Sequence, residues 1–162
     1  MYEASLVMPL IVRWPGVVEA GSINNDIVSN LDFAETFLEI AEAAIPSDMQ
    51  GRSLVPLMKG RTPTDWRTSF YYHYYEFPGA HSVARHYGVT DGNYKLINFY
   101  ENKEWEMFDL TADPNELQSL YGREEYAVVQ ARLEKELARL RGYYKLPDED
   151  PPFMHNQPRR RN

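Results

Sequence analysis

The chain has 162 residues, 43% hydrophobic and 25% charged, enough for one globular domain with a real core. A net charge of -7 excludes a general nucleic-acid binder, which needs a basic face; the one basic run, Arg159-Arg160-Arg161, reads as a solvated terminus. The absence of cysteine excludes disulfides, zinc-thiolate sites and cysteine nucleophiles in this stretch. No apolar run approaches the roughly 20 residues that span a bilayer, so no membrane partner is expected. A basic n-region followed by an apolar h-region is also missing from the start.

In chain order, Leu10-Ile11-Val12 is a short apolar run stopped by Trp14-Pro15-Gly16, which predicts a strand buried on both faces. Ser29 and Asp32 form an N-terminal capping signal. Ala34, Phe37, Leu38, Ala41 and Ile45 then recur at helical spacing until Pro46, predicting a helix over about 30–45. Residues 47–64 carry Pro, Gly and Ser throughout and read as a linker.

From Ser69 the period becomes two, within a segment that holds much of the chain's aromatic excess. Phe70, Tyr72 and Tyr74 fall on one face of a strand, and Tyr71, His73, Tyr75 and Phe77 on the other. Ser82 to Val89 makes a second strand after the Pro78-Gly79 turn. Asp91-Gly92, taken as a two-residue type I′ loop, pairs Val89 with Tyr94, Tyr87 with Leu96 and Arg85 with Asn98; His86 faces Ile97 and Ala84 faces Phe99 on the opposite side. A turn near Asn102 leads to a fourth strand at Trp105–Phe108. A helix from about Arg123 to Arg141 carries the stripe Tyr126, Val129, Leu133, Leu137 and Leu140, with Gly142 placed just past its C-cap. The predicted fold class is α+β: a four-stranded antiparallel meander packed against a long C-terminal helix, over about 65–145, preceded by an orphan strand and helix. Residues 146–162 read as a flexible tail.

No catalytic set can be assembled from these residues. The P-loop, the dinucleotide fingerprint, His-Glu-x-x-His and Gly-x-Ser-x-Gly are all missing, and the spacing of His73, His81 and His86 matches no metal motif. The polar residues set among aromatics are Glu76, His81, Arg85 and His86. A loop between aromatic strands that carries them can present cations and rings to an anionic, sugar-like ligand, or can simply be a hydrogen-bonded sheet edge.

Six segments resemble, in order, the formylglycine-dependent sulfatases of the alkaline-phosphatase-like superfamily. Tyr2-Glu3-Ala4-Ser5-Leu6 through Pro9-Leu10-Ile11-Val12-Arg13-Trp14-Pro15-Gly16 is similar to Y-E-x-S-L-x-x-P-L-I-V-R-x-P-G. Asn30 to Leu38 resembles the helix that follows it, and Met49-Gln50-Gly51-Arg52-Ser53-Leu54 with Leu57 and Gly60 resembles Q-G-x-S-L-x-P-L-x-x-G. Tyr94-Lys95-Leu96-Ile97, Trp105 to Leu110 and Asp113-Pro114-Asn115-Glu116 resemble Y-K-L-I, W-E-L-Y-D-L and D-P-x-E.

The resemblance implies a large N-terminal α/β domain, of which residues 1–46 are a remnant, and a smaller C-terminal domain. The C/S-x-P-x-R nucleophile motif and the calcium-binding carboxylates of the family are expected upstream of Tyr2-Glu3. This stretch is thus expected to have no catalytic residues and no metal ligands of its own, with calcium and formylglycine supplied by the parent. In the glycan-sulfatase branch a C-terminal loop reaches the sugar; Glu76 to His81, with Arg85 and His86, resembles that loop and implies Glu76, His81, Arg85 and His86 as substrate contacts. The implied partner is a sulfated sugar, the implied parent is exported, and self-association through the apolar N-terminal segment is expected. The alternative is a free-standing carbohydrate-binding or interaction module.

Overall fold

The computed structural model describes residues 1–77, 82–147 and 150. These fall into two compact units, Met1–Leu6 with Tyr71 onward, and Val7–Phe70. The divisions differ from those the sequence suggests at 46 and 64, because residues 1–6 pack with the meander and residues 54–66 contain packed structure.

The first unit is built on an antiparallel sheet in the order β1 (Phe70–Tyr74), β2 (His86–Thr90), β3 (Tyr94–Phe99) and β4 (Glu104–Asp109). The hairpin register is one the sequence reading misses: Tyr87 faces Asn98, Val89 faces Leu96 and Thr90 faces Lys95. Asp91 closes the turn instead of occupying it. Its N–H bonds to Tyr94 O at 3.1 Å, while its carboxylate accepts from Asn93 N at 2.9 Å and Tyr94 N at 2.7 Å. The loop is therefore Gly92-Asn93, with positive φ (87°) at Gly92, as a type II′ turn requires at its first central residue. Partners shift by two residues, so every side chain keeps its predicted face. Strand β2 also starts later than expected, since the Arg85 N–H goes to the Glu101 carboxylate at 3.4 Å.

One sheet face meets α4 (Ala127–Tyr143), which follows a 3-10 turn at Glu124–Tyr126. Leu133, Leu137 and Leu140 pack with Val89, Leu96 and Met107, and Tyr126 and Val129 border this core. The helix runs through Gly142, and the left-handed residue that ends it is Lys145 (φ 53°). The Gly142 C-cap expectation therefore fails, because the chain turns only after Tyr144.

The other face meets the N-terminal segment that carries α1 (Glu3–Leu6). Met1 packs with Ile97 and Phe108, bordered by Leu6, Tyr72, Phe99 and Leu110. A Cβ at Gly88 would collide with Leu96 O and, at 2.6 Å, with Met1 Sδ, so this close approach requires glycine. Lys95, fully buried, donates from Nζ to Glu3 Oε1 and Glu116 Oε1, both at 2.6 Å. Glu3 N donates to Glu116 Oε2 at 2.5 Å, and Tyr2 OH to Glu106 Oε2 at 2.8 Å. Glu116 reaches this point because the Asp113 carboxylate accepts Leu117 N and Gln118 N and tightens the loop.

The second unit contains α2 (Asp32–Ile40) and α3 (Val55–Met58). The expected capping box is half formed: Asp32 Oδ2 accepts Ser29 N at 2.7 Å, but Ser29 Oγ accepts from Leu31 N. Helix α2 buries Asp32, Glu35 and Thr36 and exposes Phe33, Phe37 and Ile40, the reverse of an ordinary amphipathic helix. It ends at Ile40, short of the predicted 45, where Glu42 takes a positive φ. Arg67 holds the Asp32 carboxylate with two bonds of 2.5 Å, and Arg52 N adds a third at 2.8 Å. Glu35 Oε2 is buried without a partner. The presumed linker is ordered locally by Leu54, Leu57 and Trp66, which form a small core. Residues 10–12 form no strand. A buried strand needs ladder partners, none of the described residues supplies one, and Ile11 is 89% exposed.

Two substitutions test this packing. Leu133→Ala should cost roughly 2–5 kcal/mol by urea denaturation, and a loss below about 0.5 kcal/mol would place the stripe in solvent. Lys95→Met leaves Glu3 and Glu116 facing each other and should cost roughly 3–5 kcal/mol. The double variant K95M/E116Q should recover part of that loss, whereas equal losses in both variants would mean that the ion cluster is incidental.

Candidate functional site

Alternation along β1 sends Tyr71, His73 and Tyr75 to the α4 side of the sheet, where they meet rings from β2 and the end of β3. The His73 ring lies 3.8 Å from that of Tyr75, 5.4 Å from that of Tyr87 and 5.7 Å from that of Tyr100 (centroid distances). Tyr87 stacks on Tyr100 at 5.4 Å, and Asn98 Nδ2 holds the Tyr87 hydroxyl at 2.8 Å. The Arg141 guanidinium, from the last turn of α4, lies over the Tyr87 ring at 4.3 Å.

Asp150 enters this cluster with its carboxylate. Tyr100 OH donates to Oδ2, His73 Nε2 is 3.4 Å from Oδ1, and Arg85 Nη1 is 3.7 Å from Oδ2. Tyr100 OH gives its proton to Asp150 and so accepts from His73 Nε2 at 3.4 Å, which puts the His73 proton on Nε2 and leaves Nδ1 to accept from Tyr71 OH at 3.0 Å. Arg85 Nη1 also lies 3.8 Å from Glu101 Oε1, and Arg85 Nε is buried with no acceptor among the described residues. Burial, and to a lesser degree the hydrogen bond to Asp150, drives the Tyr100 phenol pKa up. This phenol is thus a neutral donor.

The four residues nominated from sequence separate. Arg85 belongs to the cluster. Glu76 is exposed just beyond β1. His81 lies outside the described residues. His86 sits on the opposite sheet face, 3% exposed, between the rings of Tyr74 and Phe99. Its Nδ1–H donates to Ala84 O at 2.8 Å, and Nε2 lies 2.8 Å from the Met1 amine, so both nitrogens are engaged within the fold. The sequence reading did not nominate His73, Tyr100, Arg141 or Asp150. Strand alternation groups His73 with Tyr71 and Tyr75, but nothing local announces that Asp150 lies against them.

A four-stranded meander with a long helix on one face and an N-terminal clamp on the other is the architecture of a sulfatase C-terminal domain. The chain belongs to the family described as N-sulphoglucosamine sulphohydrolase, C-terminal, which it matches over residues 1–143. It is 49% identical over 154 residues to an N-acetylglucosamine-6-O-sulfatase of Bacteroides thetaiotaomicron, covering 93% of this chain and 27% of that protein. Mouse arylsulfatase K is 29% identical over 151 residues, covering 90% of this chain and again 27% of the relative. The chain thus spans about a quarter of these relatives. A solved structure in complex with its substrate D-glucosamine-2-N,6-O-disulfate superposes with a TM-score of 0.88 at 48% identity, covering 91% of this chain and 31% of that one. A phosphonate monoester hydrolase from Silicibacter pomeroyi shares the fold, with a TM-score of 0.70 at 22% identity over 82% of this chain and 28% of its own.

The buried histidines also set the response to acid. Burial lowers the His73 pKa from 6.5 to about 4 against the pull of Asp150, with Arg141 helping, and burial lowers His86 as well. Between about pH 6.5 and 4 the unfolded chain therefore binds protons that the folded chain refuses. Their stabilising contribution is complete above the unfolded pKa and is lost as pH falls toward 4. The urea midpoint should drop between pH 7 and pH 4.5, and His73→Gln should flatten that drop. An unchanged slope in the variant would remove His73 from this role.

Proposed function

We propose that the chain is the substrate-shaping C-terminal part of a sulfatase acting on sulfate esters of sulfated glycans, with glucosamine units as the leading substrate class. The observation that carries this reading is the 0.88 TM-score, at 48% identity, with a structure that holds a disulfated glucosamine. The exposed apolar face of α2 and the exposed run at 10–12 support it further, since a free-standing binding module has no use for them. In the parent those surfaces are covered by the rest of the enzyme; left alone they favour self-association.

Hydrolysis is assigned to the rest of the parent. This chain contains no C/S-x-P-x-R motif. Among the described residues no group of three His, Cys, Asp or Glu could hold a metal ion, so they do not fit the expected calcium. Nucleophile and cation would be supplied by the rest of the parent, while the α4 side of the meander holds the sugar.

The chain alone should not turn over an aryl sulfate or 6-O-sulfated glucosamine above a boiled control. In a full-length sulfatase that carries this segment, His81→Ala should lower kcat/KM at least about tenfold for the sulfated sugar and little for a small aryl sulfate. Binding energy remote from sulfur matters only for substrates that reach it. Equal losses on both substrates, or none on either, would overturn the assignment of His81.

A further inference from the structure

The carboxylate of Asp150 is held the way a ligand is held. It accepts from a phenol and lies within 3.4 Å of an imidazole nitrogen and 3.7 Å of a guanidinium, from three separate places: Tyr100 just past β3, His73 on β1 and Arg85 before β2. All three side chains come from the sheet and its loops, while Asp150 comes from beyond α4. The cluster therefore exists as an arrangement of the meander, and Asp150 is its occupant.

Charge leads to the same view. His73 is neutral at pH 7, with a pKa near 4. Among the described residues, setting Asp150 aside leaves two arginines, Arg85 and Arg141, against one carboxylate, Glu101, beside Arg85. The result is a net positive charge walled by the rings of Tyr75, Tyr87 and Tyr100, and such a partly desolvated charge favours an anion nearby. Arg85 also keeps a donor in reserve, because its buried Nε has no acceptor among the described residues. The present occupant satisfies Nη1 loosely, at 3.7 Å, and Nε not at all. A larger oxyanion with three or four oxygens could reach Nη1, Nε, Tyr100 OH and His73 Nε2 together.

We propose that Arg85, Arg141, His73 and Tyr100 form an oxyanion subsite, occupied in cis by the Asp150 carboxylate, which takes a second anionic group of a sulfated sugar chain. That group is either an additional sulfate or a uronate carboxylate. The flanking tyrosines supply the ring faces against which a sugar packs. Asp150 then acts as a tethered competitor. A tethered group is present at an effective concentration in the mM range, so only ligands that bring a well-placed anion displace it. The inference rests on the sulfated-glycan reading for the identity of the ligand, but the subsite itself is testable with simple anions.

The test is a titration of the whole chain at pH 7 with methyl sulfate and, separately, with glucuronate, followed by the ring resonances of His73 and Tyr100. Sodium chloride at matched ionic strength is the blank. Asp150→Asn should bind at least one of the two anions about five-fold or more tighter than the wild-type chain. Adding Arg85→Gln to Asp150→Asn should remove that gain. Arg141→Gln serves as the second probe should the arginine variant at 85 melt early. A preference for methyl sulfate would make the group a sulfate, and a preference for glucuronate would make it a uronate carboxylate. Affinities within twofold of wild type in Asp150→Asn for both anions, or a gain that survives both arginine substitutions, would overturn the proposal. Anion binding that behaves as predicted while the His81 experiment fails would keep the subsite and remove the sugar assignment at His81. The reverse pattern would remove the subsite alone.

Discussion

The first unit depends on one ammonium group. Lys95 is fully buried in the centre of the sheet, where an isolated charge would be untenable, and two carboxylates at 2.6 Å make it tolerable. One of them, Glu3, arrives from the start of the chain and the other, Glu116, from the loop after β4. Lys95 thus ties three distant pieces of chain to a single point. Placing Glu3 also places Met1 over Ile97 and Phe108, and covers the sheet face that α4 leaves open. Without that cover the face would present Ile97, Phe108, Tyr72 and Phe99 to water. Pairs of this kind do not by themselves add much net stability, because desolvation opposes the Coulomb gain; what they fix is which arrangement is allowed.

The second unit uses the same device in a different setting. Asp32 is buried on α2 and accepts from Arg67, Arg52 N and Ser29 N, so the polar side of the helix faces inward. The consequence is that Phe37, at 67% exposure, and Ile40 face outward. Reading amphipathic spacing alone, one would bury Phe37 and expose Asp32. The spacing was genuine, but it identified a face without saying what that face packs against. Glu35 Oε2, on the inward side, has no hydrogen-bond partner among the described residues, so the unit leaves one buried acceptor unsatisfied there.

The same distinction explains how much was legible in the sequence. The alternation in Phe70–Phe77 and the leucine stripe of α4 were readable because both report burial within a few residues, and both faces came out as expected. The hairpin was readable in place but not in register. Asp91-Gly92 and Gly92-Asn93 are both competent turns, and the choice falls to the Asp91 carboxylate, which caps two amides only in the second arrangement. The apolar run at 10–12 read as a strand from composition, but a strand is a relation between segments and its partners are not among those described here. The site was the least legible part. Arg85 stood out as a cation among rings, yet His73, Tyr100, Arg141 and Asp150 are joined only by folding, across separations of up to 77 positions from His73 to Asp150 (150 minus 73).

Where the recognisable signatures ended up bears on how such a domain can change its ligand. Tyr2-Glu3 and Tyr94-Lys95 meet Glu106 and Glu116 from the two later signatures in the clamp on one sheet face. Asp109 caps the turn after β4, and Asp113 shapes the loop that delivers Glu116. Every one of these groups is spent on holding chain to chain. The cluster around Asp150 lies on the opposite face and uses His73, Arg85, Tyr100 and Arg141, none of which belongs to a signature segment. The two sets share the sheet but no hydrogen bond or ion pair described here. Substitutions in the second set should therefore leave the clamp largely intact, because contacts with no shared partner tend to act independently. The signature groups thus account for the architecture, while the cluster around Asp150 is built from residues outside those six segments.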